Sequence, residues 1–314
     1  MKPRHERPVL PDDVTGAELD RSVRQELTSL NSAVAKAVSR HLVMAGRLLD
    51  EDPETAYLHA AAAREQAARV ASVREAVGLA AYRSGRFAEA LTELRTARRL
   101  TGSNVHLPVM ADCERGLERP ERALALAQSD EARQLDVAGR IELLIVASGA
   151  RADLGEPEAA VVTLQVPELQ SSAREPWVAR LRSAYADALA AVGREEDARR
   201  WLELAAESDQ DGSTGAADRL AELDGLFLVD LEEDDEDSDT SGDGQDDVDL
   251  TVTDALGGDE TSDGDGLDGE VELEVELESG PVGVTPAPAT GSALFVEPTS
   301  APETRNATSE STGD

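Results

Sequence analysis

The chain has 314 residues, and its 65 acidic and 30 basic side chains give a formal net charge of −35. This length is enough for about two domains. The single cysteine, Cys113, excludes an intramolecular disulfide and a cysteine-based zinc site. No apolar run approaches the roughly 18 residues that cross a bilayer, and the first residues lack the apolar segment of a secretory signal. We therefore expect a cytoplasmic protein with no membrane contact.

The acidic charge is concentrated at one end of the chain. Residues 226–314 contain 27 acidic residues and one basic residue, Arg305, so this part carries −26, whereas residues 1–225 carry −9. So acidic a segment has too few apolar residues to offset the entropy lost on ordering. We predict a disordered leader in residues 1–14, a folded domain in residues 15–225, and a disordered acidic tail in residues 226–314.

The predicted domain opens with signals of a helix. Thr15-Gly-Ala-Glu18 has the form of a capping box, in which a hydroxyl and a carboxylate satisfy the first amides of a helix. Apolar residues then recur at steps of three and four from Leu19 to Leu49, which predicts an amphipathic helical stripe. Asn31 and Ser32 mark the place where this stripe would be interrupted.

The rest of the domain repeats. An alanine recurs at spacings of 34, 33, 37 and 38 residues, at Ala56, Ala90, Ala123, Ala160 and Ala198. Three of these alanines follow a proline by three residues, at Pro53, Pro120 and Pro157. Proline suits the first position of a helix, because the amide there has no partner within the helix.

Two further positions support the repeat. Glycine stands five residues before three of the alanines, at Gly85, Gly155 and Gly193, where a preceding helix would end in a left-handed turn. Twelve residues before the alanines stand Met44, Gly78, Ala111, Ser148 and Ala186, and four of these five are small enough for two helices to approach closely. The pattern predicts a helix, a tight turn and a second helix, repeated about five times and stacked on one another.

Residues 71–104 carry a family resemblance. Their small and aromatic positions, Val77, Gly78, Gly85, Phe87, Ala90, Leu94 and Ala97, resemble the tetratricopeptide repeat, and residues 182–208 resemble it more weakly. The resemblance covers about residues 36–208 and implies an all-α, tetratricopeptide-like α-solenoid of about five helical hairpins. Helices near 17–31 and 214–224 would cap its ends. Asp130 and Pro167 depart from the family pattern, so we expect the third and fourth units to be shortened or irregular.

The resemblance also implies a binding groove lined by the first helix of each unit. The matching positions are Glu75, Leu79, Tyr82, Arg83, Asp112 and Arg115, with Arg180 and Asp187 in the last unit. Tyr82 and Arg83 are the preferred contacts, although Tyr82 could equally pack between units. The family's lysine and asparagine carboxylate clamp has no counterpart here, so a receptor for chaperone tails is not expected.

Residues 61–110 contain eight arginines and four glutamates in an otherwise acidic chain. We call seven of these arginines the basic face: Arg64, Arg69, Arg74, Arg86, Arg95, Arg98 and Arg99. One interpretation is an ordinary solvated surface with ion pairs along its helices. The other is an anion-binding surface for an acidic protein segment, nucleic acid or this chain's own tail.

No pattern in the sequence indicates catalysis. His41 and His59 could meet across a hairpin as two metal ligands, but two ordinary side chains are the simpler interpretation. Cys113 has no nucleophile signature, and no glycine-rich phosphate loop is present. Residues 259–270 match a calcium loop by spacing, yet they lack its apolar eighth position, and the segment is rich in aspartate and glycine throughout. We predict no catalytic residue, no metal site and no cofactor.

These observations favour a non-enzymatic protein–protein interaction scaffold or adaptor for an unknown protein or peptide. The acidic tail would gate access to the basic face. The alternative is a nucleic-acid-associated regulator with an autoinhibitory tail, although a chain this acidic would be repelled by a polyanion and nucleic acid is not the expected partner. Two short apolar segments interrupt the tail, at residues 226–229 and 293–296, and the second could be a recognition segment.

Overall fold

The computed structural model describes residues 8–224. Within that range the chain is all-helical, with twelve α-helices and no strand. The helices are α1 (Arg21–Leu27), α2 (Ser32–Arg47), α3 (Pro53–Ala67), α4 (Ala71–Arg83), α5 (Phe87–Thr101), α6 (Leu107–Gly116), α7 (Pro120–Ala127), α8 (Val137–Asp153), α9 (Pro157–Leu164), α10 (Pro176–Ala191), α11 (Glu195–Ser208) and α12 (Ala216–Leu223). None of these helices is both long and apolar enough to cross a membrane. The all-α prediction is confirmed for this range, and the acidic tail lies outside it.

Ten of these helices follow one another as five pairs: α2 with α3, α4 with α5, α6 with α7, α8 with α9, and α10 with α11. The five aligned alanines each fall in the second helix of a pair, and all five are buried. Each helix packs against the next one along the chain, and three first helices, α2, α6 and α8, also contact the first helix of the following pair. Neighbours in the sequence are therefore neighbours in space.

Four of the five turns between paired helices use left-handed backbone, three of them at the predicted glycines. Gly85, Gly155 and Gly193 have φ angles of 71°, 75° and 75°. Glu118 occupies the same position in the third pair with a φ of 58°, and it is the one non-glycine residue of positive φ in the described range. Because left-handed backbone brings a Cβ atom close to the following carbonyl, the third turn carries a strain that the glycine turns avoid.

Close approach of paired helices depends on the predicted small positions. A Cβ atom built on Gly78 would lie 2.6 Å from the Leu94 side chain, so glycine is what allows α4 and α5 to pack. At the matching position of the fourth pair, Ser148 joins α8 to α9, because its buried hydroxyl donates to the carbonyl of Ala160 at 3.0 Å.

The start of the domain differs from the prediction. Glu18 accepts from the amides of Thr15 and Gly16, but this forms an isolated turn that precedes α1, and Asp20 caps the helix instead. Asn31 accepts from the amide of Val34 and opens α2, so the predicted interruption of the stripe is confirmed. Val14, within the predicted leader, is 1% exposed and belongs to the same buried apolar cluster as Leu19 and Val23.

The second helices of the third and fourth pairs are short. α7 and α9 have eight residues each, whereas α3, α5 and α11 have 15, 15 and 14. Each short helix is followed by a single 3-10 turn, Ala132–Gln134 after α7 and Pro167–Gln170 after α9. The expected irregularity of these two units is therefore present, at the positions that Asp130 and Pro167 indicate.

Candidate functional site

The groove candidates Leu79 and Tyr82 lie inside the protein, with 2% and 1% of their surface exposed. The Tyr82 hydroxyl donates to Asp112 at 2.6 Å, and its ring lies 6.1 Å from the ring of Phe87, centroid to centroid. Burial and the neighbouring Asp112 raise the pKa of Tyr82, which keeps the hydroxyl protonated as a donor. These contacts support the interpretation that Tyr82 packs between units.

The other groove candidates join successive helix pairs. Arg115 on α6 donates to Asp112 at 2.9 Å and to Asp153 at the end of α8 at 2.7 Å. Glu75 on α4 contacts His106 at 2.8 Å, where α6 begins, and Arg83 is bonded to Asp50, which follows α2. A ligand that used these side chains would have to replace contacts that hold neighbouring pairs together.

The groove candidates of the last unit, Arg180 and Asp187, also bond to side chains of other helices. Arg180 donates two hydrogen bonds, of 2.6 Å and 2.5 Å, to the carboxylate of Glu142 on α8, and both side chains are buried. Asp187 is bonded to Arg219 on α12. These pairs link α10 to the helices on either side of it.

Most arginines of the basic face are ion-paired within the described residues. Five of them donate to carboxylates on other helices or turns: Arg64 to Glu89 and Glu93, Arg74 to Glu93, Arg86 to Glu54, Arg95 to Glu114, and Arg98 to Glu131. Arg99 is exposed and donates to the Thr96 hydroxyl, and Arg69 is exposed. The net charge that the sequence suggests is therefore neutralised locally at most of these positions.

His41 and His59 do meet. Their Nδ1 atoms are 3.0 Å apart, with both rings buried between α2 and α3. Burial, and in second place the charge of His41, lowers the pKa of His59 to about 4, so this imidazole is neutral at pH 7. Across residues 8–224 no group of three or more histidine, cysteine or acidic side chains could hold a metal. The calcium-loop pattern at residues 259–270 lies outside the described range.

Cys113 is completely buried on α6. Burial raises the pKa of its thiol, and the charges of Asp112 and Glu114 raise it further. A thiolate is the nucleophilic form of cysteine, and this environment opposes it. The contacts support a structural thiol.

One open cleft has a mainly apolar floor, and no sequence pattern predicts it. The cleft measures about 210 Å³ and lies between the start of α8, the end of α7 and the 3-10 turn after α9. Its apolar lining includes Ala127, Val137, Ile141, Leu144 and Val166.

The cleft lies where α7 and α9 end early. Each helix stops after eight residues, and residues of the 3-10 turns that follow them line the cleft. Val137, the first residue of α8, is left 41% exposed. Asp130 and Pro167 predict that the two helices are short. Sequence periodicity does not predict which apolar side chains of α8 are then left exposed.

The edge of the cleft carries charge. The Arg133 side chain is 79% exposed, and its 3.2 Å contact with Asp130 is made at an exposed surface. Arg140 is exposed and donates to the carbonyl of Leu135 at 2.8 Å. Glu168 also lines the cleft. The arrangement is an apolar floor with an edge of mixed charge.

The chain was compared with known proteins by family model and by sequence. No family model matches it, and no curated protein matches it.

Proposed function

We propose that this protein is a non-enzymatic interaction scaffold or adaptor of the tetratricopeptide type. In this proposal the five helix pairs stack as an α-solenoid in the cytoplasm and hold a protein or peptide partner. The observation that carries the proposal is the apolar cleft at the start of α8, where Val137 is 41% exposed among other apolar side chains. Sequential packing of the helix pairs supports the solenoid.

The size of the cleft favours a peptide anchor over a small-molecule ligand. Its 210 Å³ lies below the roughly 300–1,000 Å³ typical of small-molecule sites. Such a volume suits one or two apolar side chains of an extended or helical peptide. Fully burying one large apolar side chain contributes about 1.5–3 kcal/mol, so we expect weak, reversible capture unless further contacts are added.

The two arginines at the edge suggest which peptides are preferred. Arg133 and Arg140 would favour acidic residues beside the apolar anchor, and the acidic tail would compete for the same edge. The nucleic-acid alternative draws less support, because five of the seven basic-face arginines already bond to carboxylates.

The experiment is affinity capture from the host lysate with the full chain and two variants. Val137→Asp places a charge on the cleft floor, and because an acid is favourable at a helix N-terminus, α8 should be retained. Val162→Asp is the matched control, since Val162 on α9 is 65% exposed and does not line the cleft.

A protein partner that survives nuclease, binds the native chain and the control, and is lost with Val137→Asp would support the proposal. Equal capture by all three chains would contradict the role of the cleft. Captured material that disappears with nuclease would favour the nucleic-acid alternative.

A further inference from the structure

We propose that the cleft at the start of α8 binds a segment of this chain itself, residues 293–296 (Ala-Leu-Phe-Val), and that an external partner must displace it. This inference rests on the proposed function, since it names a competitor for the same cleft. The chemistry required is a short apolar anchor followed by an acidic residue, and Glu297 follows Val296 directly.

The floor of the cleft matches the apolar side chains of residues 293–296 in size and chemistry. The cleft offers about 210 Å³ lined by apolar side chains, with Val137 and Leu144 only partly covered. Leu294 and Phe295 supply two adjacent large apolar side chains in a part of the chain that is otherwise mostly polar. Filling the cleft with them removes apolar surface from water on both sides of the contact.

The chain between the last described helix and residues 293–296 is long enough to reach the cleft. The last described helix ends at Leu223, so 69 residues separate it from Ala293. A chain of that length can span up to about 230 Å. The other apolar segment, residues 226–229, begins three residues after Leu223, and α12 packs on α11, whereas the cleft is lined by α7, α8 and the two 3-10 turns. Three residues span about 10 Å at most, which makes residues 293–296 the better candidate.

The charge of the tail also favours this cleft. Of the two exposed arginines at the edge, Arg133 contacts Asp130, whereas Arg140 bonds to a backbone carbonyl, and Glu168 is the acidic residue in the lining. The tail that carries residues 293–296 has a net charge of −26, and a tethered segment meets its site at an effective concentration of roughly millimolar order. A contact too weak to form between separate molecules is therefore populated within one chain.

The test measures binding of a fluorescent peptide, residues 290–299 of this sequence, to full-length chains by anisotropy. In the native chain the attached segment competes, whereas Phe295→Ser removes the competitor and leaves the cleft unchanged. With an effective concentration about ten times the peptide Kd, we expect the Phe295→Ser chain to bind the peptide about tenfold more tightly than the native chain. Val137→Asp in the Phe295→Ser background should abolish binding, and Val162→Asp in that background should not change it.

Equal affinity for the native and Phe295→Ser chains, no measurable binding, or binding that survives Val137→Asp would each overturn the inference. Sedimentation velocity on the native chain distinguishes binding within one molecule from binding between two. A native dimer that becomes monomeric with Phe295→Ser would mean that the segment binds a second copy. If the peptide fails to bind while lysate capture still depends on Val137, the proposed function stands and this inference fails.

Discussion

The buried pair of histidines makes a specific prediction about acid stability. His59 has a pKa of about 4 in the folded protein and 6.5 as its ordinary value. Between these values the unfolded chain binds a proton that the folded chain does not, so stability falls as the pH is lowered. The full difference corresponds to about 3 kcal/mol, and about 2 kcal/mol of it is lost between pH 7.5 and pH 5.

The measurement is urea unfolding of the full chain, followed by far-ultraviolet circular dichroism at pH 7.5, 6 and 5. Carboxylates with lowered pKa values contribute little in this window, because the unfolded chain protonates them appreciably only below about pH 4.5. Glu18, whose pKa falls to about 2 through hydrogen bonds from its own amide and that of Thr15, is an example. We therefore expect the histidine pair to dominate the change from pH 7.5 to pH 5.

His59→Gln isolates the cause. The substitution also changes the stability at pH 7.5, so the quantity compared between chains is the free energy of unfolding lost from pH 7.5 to pH 5. In the variant this loss should be smaller than in the native chain by about 2 kcal/mol. His106→Gln is the control, because it removes a histidine that lies outside the pair, beside Glu75. A native chain whose stability is constant from pH 7.5 to pH 5, or a His59→Gln chain that loses as much as the native one, would refute the reasoning.

Three further substitutions test the packing, each by chemical denaturation. Glu118→Gly should stabilise the protein by about 0.5–1 kcal/mol by relieving left-handed strain, whereas Glu51→Gly, at the matching position of the first pair where φ is not positive, should not; equal effects would contradict this. Gly78→Ala should destabilise by about 1–3 kcal/mol, because its Cβ would overlap a side chain of α5, and an unchanged midpoint would show that the helices can move apart. Arg180→Met should cost about 3–5 kcal/mol by leaving the buried Glu142 uncompensated, and adding Glu142→Leu should recover most of that loss; a double variant as unstable as the single one would show that the pair itself is needed.

The helix pairs could be predicted because their signals are local. Apolar periodicity marks each helix, Pro53 and Pro120 mark where two of the second helices begin, and Gly85 and Gly193 mark turns that need left-handed backbone. These requirements hold within one helical hairpin, so a single sequence displays them.

The bonding of the candidate site could not be predicted in the same way. The repeat places Tyr82 and Arg115 on the first helices of their units, but it does not reveal that Asp112 lies 2.6 Å from one and 2.9 Å from the other. Whether a charged side chain is available to a ligand depends on ion-pair partners about 20 to 40 residues away in the sequence. Asp153, which bonds to Arg115, is an example. The cleft is still harder to predict from sequence, because it lies where two second helices end early.

Because the second helices differ in length, the helix pairs are expected to differ in local stability. α5 buries five side chains, whereas α7 buries Ala123 alone. In a body where each helix is held chiefly by its neighbours in sequence, opening of one pair need not unfold the others. Among the second helices of the five pairs, we therefore expect hydrogen exchange to be fastest at α7, so that the residues beside the cleft open while the neighbouring pairs stay folded. Such an opening would widen the cleft without global unfolding, which would let a partner larger than one side chain enter.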